Sequence, residues 1–215
     1  MNQPNAGLSR RKIFVSGASL LVLSGCGNLI GPDAPGQMYV LAPEMPAGAA
    51  TRALPWQLAV SRPESSASLT TDRVAIKRGE NFDYYANAQW TDQAPQLLQT
   101  LLVQAFEKAG AMGSVAKDVA GMHADYILQS EIRGFEAHYD GGDAPPTVVV
   151  DVTMKLMSAH SGAIAAAREF RHETPASANT VPAAVAAFDA AMSAVLGEIV
   201  DWVFSVAPRL QSRGS

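Results

Sequence analysis

Ten consecutive residues, Thr147-Val148-Val149-Val150-Asp151-Val152-Thr153-Met154-Lys155-Leu156, constrain the fold more than any others in the chain. In an extended chain, Val148, Val150, Val152, Met154 and Leu156 fall on one side and Thr147, Val149, Asp151, Thr153 and Lys155 on the other. That is the period of a strand with one face against a core. His160-Ser161-Gly162 then supplies a tight turn, and residues 163–173 return as the partner strand of a hairpin. A hairpin cannot bury such a face by itself, so the remaining sequence must cover it.

Further strands are predicted over residues 37–41, 56–61 (Trp56, Leu58 and Val60 alternating with polar or small neighbours), 73–77, 82–86 and 126–135, with a turn at 78–81. Residues 44–55 and 139–146 are loops, the latter with the turn former Asp140-Gly141-Gly142-Asp143. Two stripes have helical spacing instead. The first follows Asp92 as N-cap and Pro95 in the opening turn. It runs through Leu97, Leu98, Leu101, Leu102, Ala105, Phe106 and Ala109 and stops at Gly110. The second follows Thr180 as cap and Pro182. It runs through Val185, Phe188, Met192, Val195, Leu196, Ile199, Trp202, Val203 and Val206, with Pro208 expected to end it. The predicted fold class is α+β: a single, mostly antiparallel sheet, because hairpins and short turns join most strands, with two helices packed on one face.

The front of the chain has another character. Arg10, Arg11 and Lys12 precede an apolar run over residues 13–23, and no acid occurs before residue 26. The run is too short to span a bilayer, which takes about 20 apolar residues, and it reads as a cleaved export signal. Leu23-Ser24-Gly25-Cys26 then has the form of a bacterial lipobox. Leu23 fills an apolar subsite, small Ser24 and Gly25 admit the peptidase, and the Cys26 thiol takes diacylglycerol as a thioether. This also explains why an exported chain carries a single cysteine, one that can form no internal disulfide. Acyl chains at about 0.8 kcal/mol per CH₂ would hold it to the bilayer. Residues 9–14 resemble a twin-arginine signal through Arg10 and Arg11, with Ile13 where that signal usually has Phe, so twin-arginine and general secretory export both remain open. Gly27, in place of the aspartate that retains lipoproteins in the inner membrane of enteric-type bacteria, points to the outer membrane. The resulting division is signal peptide 1–25, lipidated cysteine and Gly/Pro-rich tether 26–36, one domain 37–207, and tail 208–215.

The net charge is −4, and −7 without the three basic residues of the leader. Such a body lacks the clustered cations that nucleic acid requires. His123, His138, His160 and His172 show no metal-ligand spacing. Neither a nucleophile elbow nor a phosphate loop occurs. No catalysis, metal or cofactor is therefore expected. Trp56 reads as core, whereas Tyr84, Tyr85 and Trp90, which border the first helix, are candidates to pin its start or to meet a partner or a lipid. An exposed sheet edge leaves self-association open.

Several segments resemble one family. These are Tyr39-Val40-Leu41-Ala42-Pro43 (its opening Tyr-x-Leu-x-Pro), Asp72-Arg73-Val74, Tyr84-Tyr85 with Trp90, Pro95 with Leu97-Leu98, and Ala187-Phe188-Asp189-Ala190-Ala191, where the usual form is Ala-Phe-Asn-x-Ala. The chain is similar to the ABC-type transport auxiliary lipoproteins, the accessory component of Mce-type and paraquat-inducible-type lipid transport systems. The resemblance implies a periplasm-facing envelope protein. Its expected partners are an MCE-domain protein with its permease and ATPase, the bilayer, and a lipid substrate. A lipoprotein supporting a cell-wall synthase or a secretion complex would share such an architecture.

Overall fold

A computed structural model describes residues 36–48, 54–110, 112–119 and 123–211 of the chain, the last four of these in backbone only. The predicted leader (Arg10, Arg11, Leu23, Ser24, Gly25), Cys26, nearly all of the tether and the end of the tail lie outside these residues. The elements, in order, are β1 (Gln37–Tyr39), β2 (Leu54–Val60), β3 (Glu64–Ser65), β4 (Arg73–Arg78), β5 (Asn81–Trp90), α1 (Ala94–Ala109), β6 (Met112–Lys117), β7 (Tyr126–Tyr139), β8 (Thr147–Ser158), β9 (Ile164–Pro175) and α2 (Val181–Gln211).

The nine strands form one α+β sheet whose long ladders are antiparallel: β7 with β8, β8 with β9, and β4 with β5. The sheet is more mixed than the short turns imply. β1 lies parallel to β5, β6 parallel to β2, and β2, β3 and β4 lie parallel to successive stretches of β7. β7 is long enough to take three short strands end to end along one edge, so strands remote in sequence become neighbours. Two strands escaped the periodicity. β3 has two residues, and β6 (Met-Gly-Ser-Val-Ala-Lys) has too little apolar alternation to register.

β8 and β9 run as the alternation predicts, with Val148, Val150, Val152, Met154 and Leu156 at 1% exposure or less. Both helices cover that face. Leu98 of α1, Met192 of α2 and Val152 of β8 line one small void together, and Phe170 of β9 meets Trp202 of α2 edge-on at 5.6 Å. In α1 the predicted stripe is buried, and Gly110 closes the helix in the left-handed region at φ 70°. The N-cap is Gln93, one residue later than expected, while the Asp92 carboxylate accepts the Gln93 N–H at 2.8 Å. At the start of α2 the Thr180 hydroxyl accepts the Ala183 N–H as predicted, at 3.4 Å. Pro208 does not end this helix, which continues to Gln211. A proline in a last turn forfeits one backbone bond without interrupting the turns before it. Residues 181–207 are long and apolar enough to cross a membrane, yet Phe188, Met192, Val195, Leu196, Ile199, Val200 and Val203 are all at 1% exposure or less inside the domain.

A β-bulge sits in β7. Ile132 pairs with Val152 and Gly134 with Asp151, so Arg133 is the extra residue. Before it, Leu128 and Ile132 face the core; after it, Phe135, Ala137 and Tyr139 do. The extra residue is what keeps both halves of the strand facing inward. It turns Glu136 to the opposite face, where the alternation of β8 already places Asp151. There Glu136 accepts the Phe135 N–H and pairs with His138 at 3.0 Å, and Asp151 pairs with Arg171 at 3.0 Å. The Arg171 guanidinium is held above its usual pKa chiefly by its hydrogen bond to Glu173, then by that to Asp151. A Cβ at Gly134 would lie 3.2 Å from Asp151 Cβ. Gly134→Val is therefore expected to destabilise the domain by roughly 1–3 kcal/mol, read as a lower urea midpoint at unchanged slope.

Candidate functional site

Most of the motif segments, scattered through the sequence, meet at one end of the helical face. β1 pairs in parallel with the last residues of β5, Tyr39 opposite Trp90, and the Thr91 N–H donates to Tyr39 O at 3.1 Å. Residues 40–46 then leave the sheet and cross α2 as an extended strap. Leu41 and Pro43 point inward and are buried; Val40, Ala42 and Glu44 are exposed. The Ala42 N–H donates to Asp189 Oδ1 at 2.7 Å and the Glu44 N–H to Ser193 Oγ at 2.8 Å. The spacing is physical. Two residues of extended chain advance about 6.6 Å, and the four from Asp189 to Ser193 advance about 6 Å along a helix and share a face. The Ser193 hydroxyl donates in turn to Asp189 O at 2.7 Å. The Tyr-x-Leu-x-Pro motif is thus the strap, and the Ala-Phe-Asp motif is where it fastens.

Trp90 and Phe188 anchor the same corner from below. Their rings meet edge-on at 5.2 Å, and Phe135 packs against Phe188 at 4.8 Å and Trp90 at 5.7 Å. Trp90 is 2% exposed, and its indole N–H has no protein acceptor. A second irregularity delivers it there. Ala75 pairs with Tyr84 but Arg73 with Gln89, so β5 bulges between them, with Asn87 left-handed at φ 58°. The Trp90 N–H donates to Asp72 O at 2.6 Å and the Ala94 N–H to Thr71 O at 3.4 Å, tying the bulged strand and the start of α1 to the Asp72-Arg73-Val74 motif.

Tyr84 and Tyr85 are half-buried and do not join this corner. Tyr84 donates to Ser68 O at 2.9 Å, with the Arg73 guanidinium 4.1 Å above its ring. The Tyr85 and Tyr139 hydroxyls are 2.8 Å apart, and Tyr139 donates to Asn179 Oδ1 at 3.0 Å just before α2. Burial, with this hydrogen bond second, pushes the Tyr85 phenol well above its ordinary pKa. All three aromatic candidates therefore make structural contacts inside the domain, and Trp90 alone stands at the motif corner. Asp189 entered the sequence reading only as part of the Ala-Phe-Asp motif, with no role given to it, and Ser193 did not enter it at all. The one available signal was a carboxylate four residues from a hydroxyl beside the apolar stripe of α2.

Beneath the strap lies a narrow apolar groove. Leu41 roofs it, Leu97 and Leu98 of α1 and Met192 of α2 form its walls, and Phe135 and Val152 of the sheet form its floor. The side chains close on one another so tightly that no water-sized space remains, and the seam has no polar lining. Elsewhere, two open polar depressions occur, one lined by Arg62, Glu131 and Lys155, the other by His123, Asp125 and His160. Among the described residues no three His, Cys, Asp or Glu side chains are grouped as metal ligands.

Asp189 is held above the usual carboxylate range by burial, an effect the Ala42 N–H partly opposes. A raised folded-state pKa means that ionising Asp189 costs stability. The cost is present at neutral pH and is relieved as pH falls through the raised value towards the normal 3.8. Asp189→Asn keeps the acceptor oxygen and removes the charge. It is expected to be at least as stable as wild type at pH 7, with its advantage shrinking as pH is lowered to 4. Asp189→Ala loses the bond and about 0.5–1.5 kcal/mol. Urea midpoints at the two pH values check both.

A single sheet backed by two helices, with an apolar corner and a half-buried strap, defines an α+β packing module. The chain belongs to the family of the ABC-type transport auxiliary lipoprotein component, whose family model matches residues 39–200. It is 28% identical over 183 residues to a protein of Bradyrhizobium diazoefficiens, covering 84% of this chain and 49% of that one. The chain thus spans about half the length of this curated relative. Its fold resembles the crystal structure of a protein from Xanthomonas campestris, with TM-score 0.77, 25% identity, 82% of this chain and 99% of that chain. A second crystal structure, at TM-score 0.62 and 18% identity over 79% of this chain and 99% of the other, shares the fold. The family's members are auxiliary lipoproteins, which is in keeping with a location in the cell envelope.

Proposed function

We infer that this chain is the lipid-anchored, periplasm-facing accessory subunit of an Mce-type ABC lipid transport system, at the outer membrane, acting by protein and lipid contact without catalysis. The observation that carries this reading is the convergence of the family's motif segments on one corner: strap, Trp90 and the Phe188-Asp189 turn of α2. The family match over residues 39–200 and the lipobox at residues 23–26 support it. Its partners would be an MCE-domain protein, a permease and an ATPase, the last supplying the nucleotide chemistry for which this chain has no phosphate loop. The test is to isolate the full-length protein from detergent-solubilised envelopes and identify what accompanies it by mass spectrometry. Recovery of an MCE-domain protein with ABC subunits is expected. Recovery of cell-wall synthases or secretion components instead would sink the transport reading and leave only the family's fold.

A further inference from the structure

We propose that the free edge of β9 pairs with β9 of a second copy of this chain, joining two sheets into one across a two-fold axis at Phe170. The proposal does not depend on the transport reading. β9 (Ile164–Pro175) is bonded to β8 along one side and, among the described residues, to no strand along the other. Its pairing with β8 is regular over residues 166–174. Over that stretch, alternate N–H and C=O groups point away from the sheet. An edge of this length is a ready template for another strand.

The side chains decide which strand it takes. Directly opposite residues of an antiparallel pair point to the same face, so a symmetric pair must centre on a residue. Centred on Phe170, Glu169 lies opposite Arg171 of the second copy, and Arg171 opposite its Glu169. Both are exposed, on the face away from the helices. Within its own chain Glu169 reaches Arg133 at 3.5 Å, an exposed pair that is easily given up. On the helical face Arg168 falls opposite His172 of the second copy. That His172 bonds its own Glu198 at 2.8 Å, and Glu198 stands 3.8 Å from its own Arg168, so one carboxylate lies among the cations of both chains. Opposite charges across a ladder stabilise it and like charges destabilise it. Centres at Arg168, Glu169 or Arg171 each set a charge against its own copy. A centre at His172 avoids this but aligns only residues 169–175 and places Pro175, which has no N–H, in the ladder. The Phe170 register aligns all of 166–174, with about eight new ladder hydrogen bonds. On the helical layer, half-buried Ala194 stands one turn before Glu198, a small side chain on the flank where the two α2 helices come alongside each other.

The test sizes the full-length lipidated protein in mild detergent by light scattering, with the detergent's share subtracted. Wild type is expected to hold two chains per particle. Glu169→Lys, which sets a lysine against Arg171 of the second copy, should hold one at the same concentration. Glu169 is exposed, so this variant should keep the wild-type urea midpoint. A cross-link reads the register. Ala167 and Glu173 oppose each other across the two-fold axis. With Cys26 consumed by lipid, differently tagged Ala167→Cys and Glu173→Cys chains, co-expressed and oxidised, should join by a disulfide. Either variant alone, its two thiols roughly 20 Å apart along the ladder, should give at least tenfold less. A one-chain wild-type particle overturns the proposal and leaves the edge to a different partner or to none. A particle of several chains that ignores Glu169→Lys, or co-expressed chains that cross-link no better than single ones, also overturns it.

Discussion

Phe188→Ala is expected to remove roughly 3–5 kcal/mol of folding stability, a large part of the 5–15 kcal/mol available to a domain. Phe188 is fully buried, and its ring contacts Trp90 at 5.2 Å and Phe135 at 4.8 Å. Two strands therefore lose their shared anchor on α2 at once: β5 at the end of its bulge and β7 just after its own. Bulged strands have fewer ladder bonds through which to take up the slack, so the cavity should collapse poorly and the cost should fall in the upper part of the range. The readout is the urea midpoint followed by tryptophan fluorescence, with the slope unchanged if the denatured state is unaffected. Phe188→Leu, which keeps most of the volume, should cost less than half as much. A loss below 1 kcal/mol for the alanine variant would show that the corner is not a keystone of the fold.

Periodicity revealed the elements that keep a regular period. The alternation at 147–156, the turn at 160–162 and the two helical stripes predicted β8, β9, α1 and α2 to within a few residues, because one buried face fixes the period. The irregularities at the candidate site did not show. The bulges at Arg133 and before Gln89 exist because a long strand must keep its core side inward across mismatched neighbours. That requirement arises from tertiary pairing with β8 and β4, not from local pattern. The parallel pairing of β2, β3 and β4 along β7 is likewise a property of strands far apart in sequence. The resemblance named the motif segments but gave no contact between them. That residues 39–43 fasten onto Asp189 depends on an extended chain and a helix having matching rises at that point. The Asp at position 189, where the family usually carries Asn, fits the same physics. Either side chain offers an oxygen to Ala42, and only the charged one is penalised by burial.

Cys26→Ala is expected to abolish membrane attachment of the mature domain, the largest effect on location that any single change can have here. Two or three acyl chains at about 0.8 kcal/mol per CH₂ amount to an anchor that does not dissociate, whereas a single shorter chain binds only reversibly. Among the described residues no second anchor is seen. α2 has the apolarity to enter a bilayer, but its core residues face the sheet, and exposing them would require unfolding. Met38 and Val40, exposed on and just after β1, are too few to hold a domain of net charge −7 without the leader's three basic residues at an anionic surface. On the lipobox reading the simple variant alone is ambiguous, because without a thioether the lipoprotein peptidase would have no substrate and residues 1–25 would stay attached. A second form, with the chain from Gly27 placed behind a leader cut by the general signal peptidase, separates the two effects. Wild type should remain with the membranes through a high-salt wash and show a diacylglycerol mass on its first residue. The leader-swapped form should be released by osmotic shock as a folded domain, with a urea midpoint close to that of the lipidated protein. If that form still sediments with membranes after the salt wash, the attachment comes from a protein partner, and the role given to Cys26 is wrong.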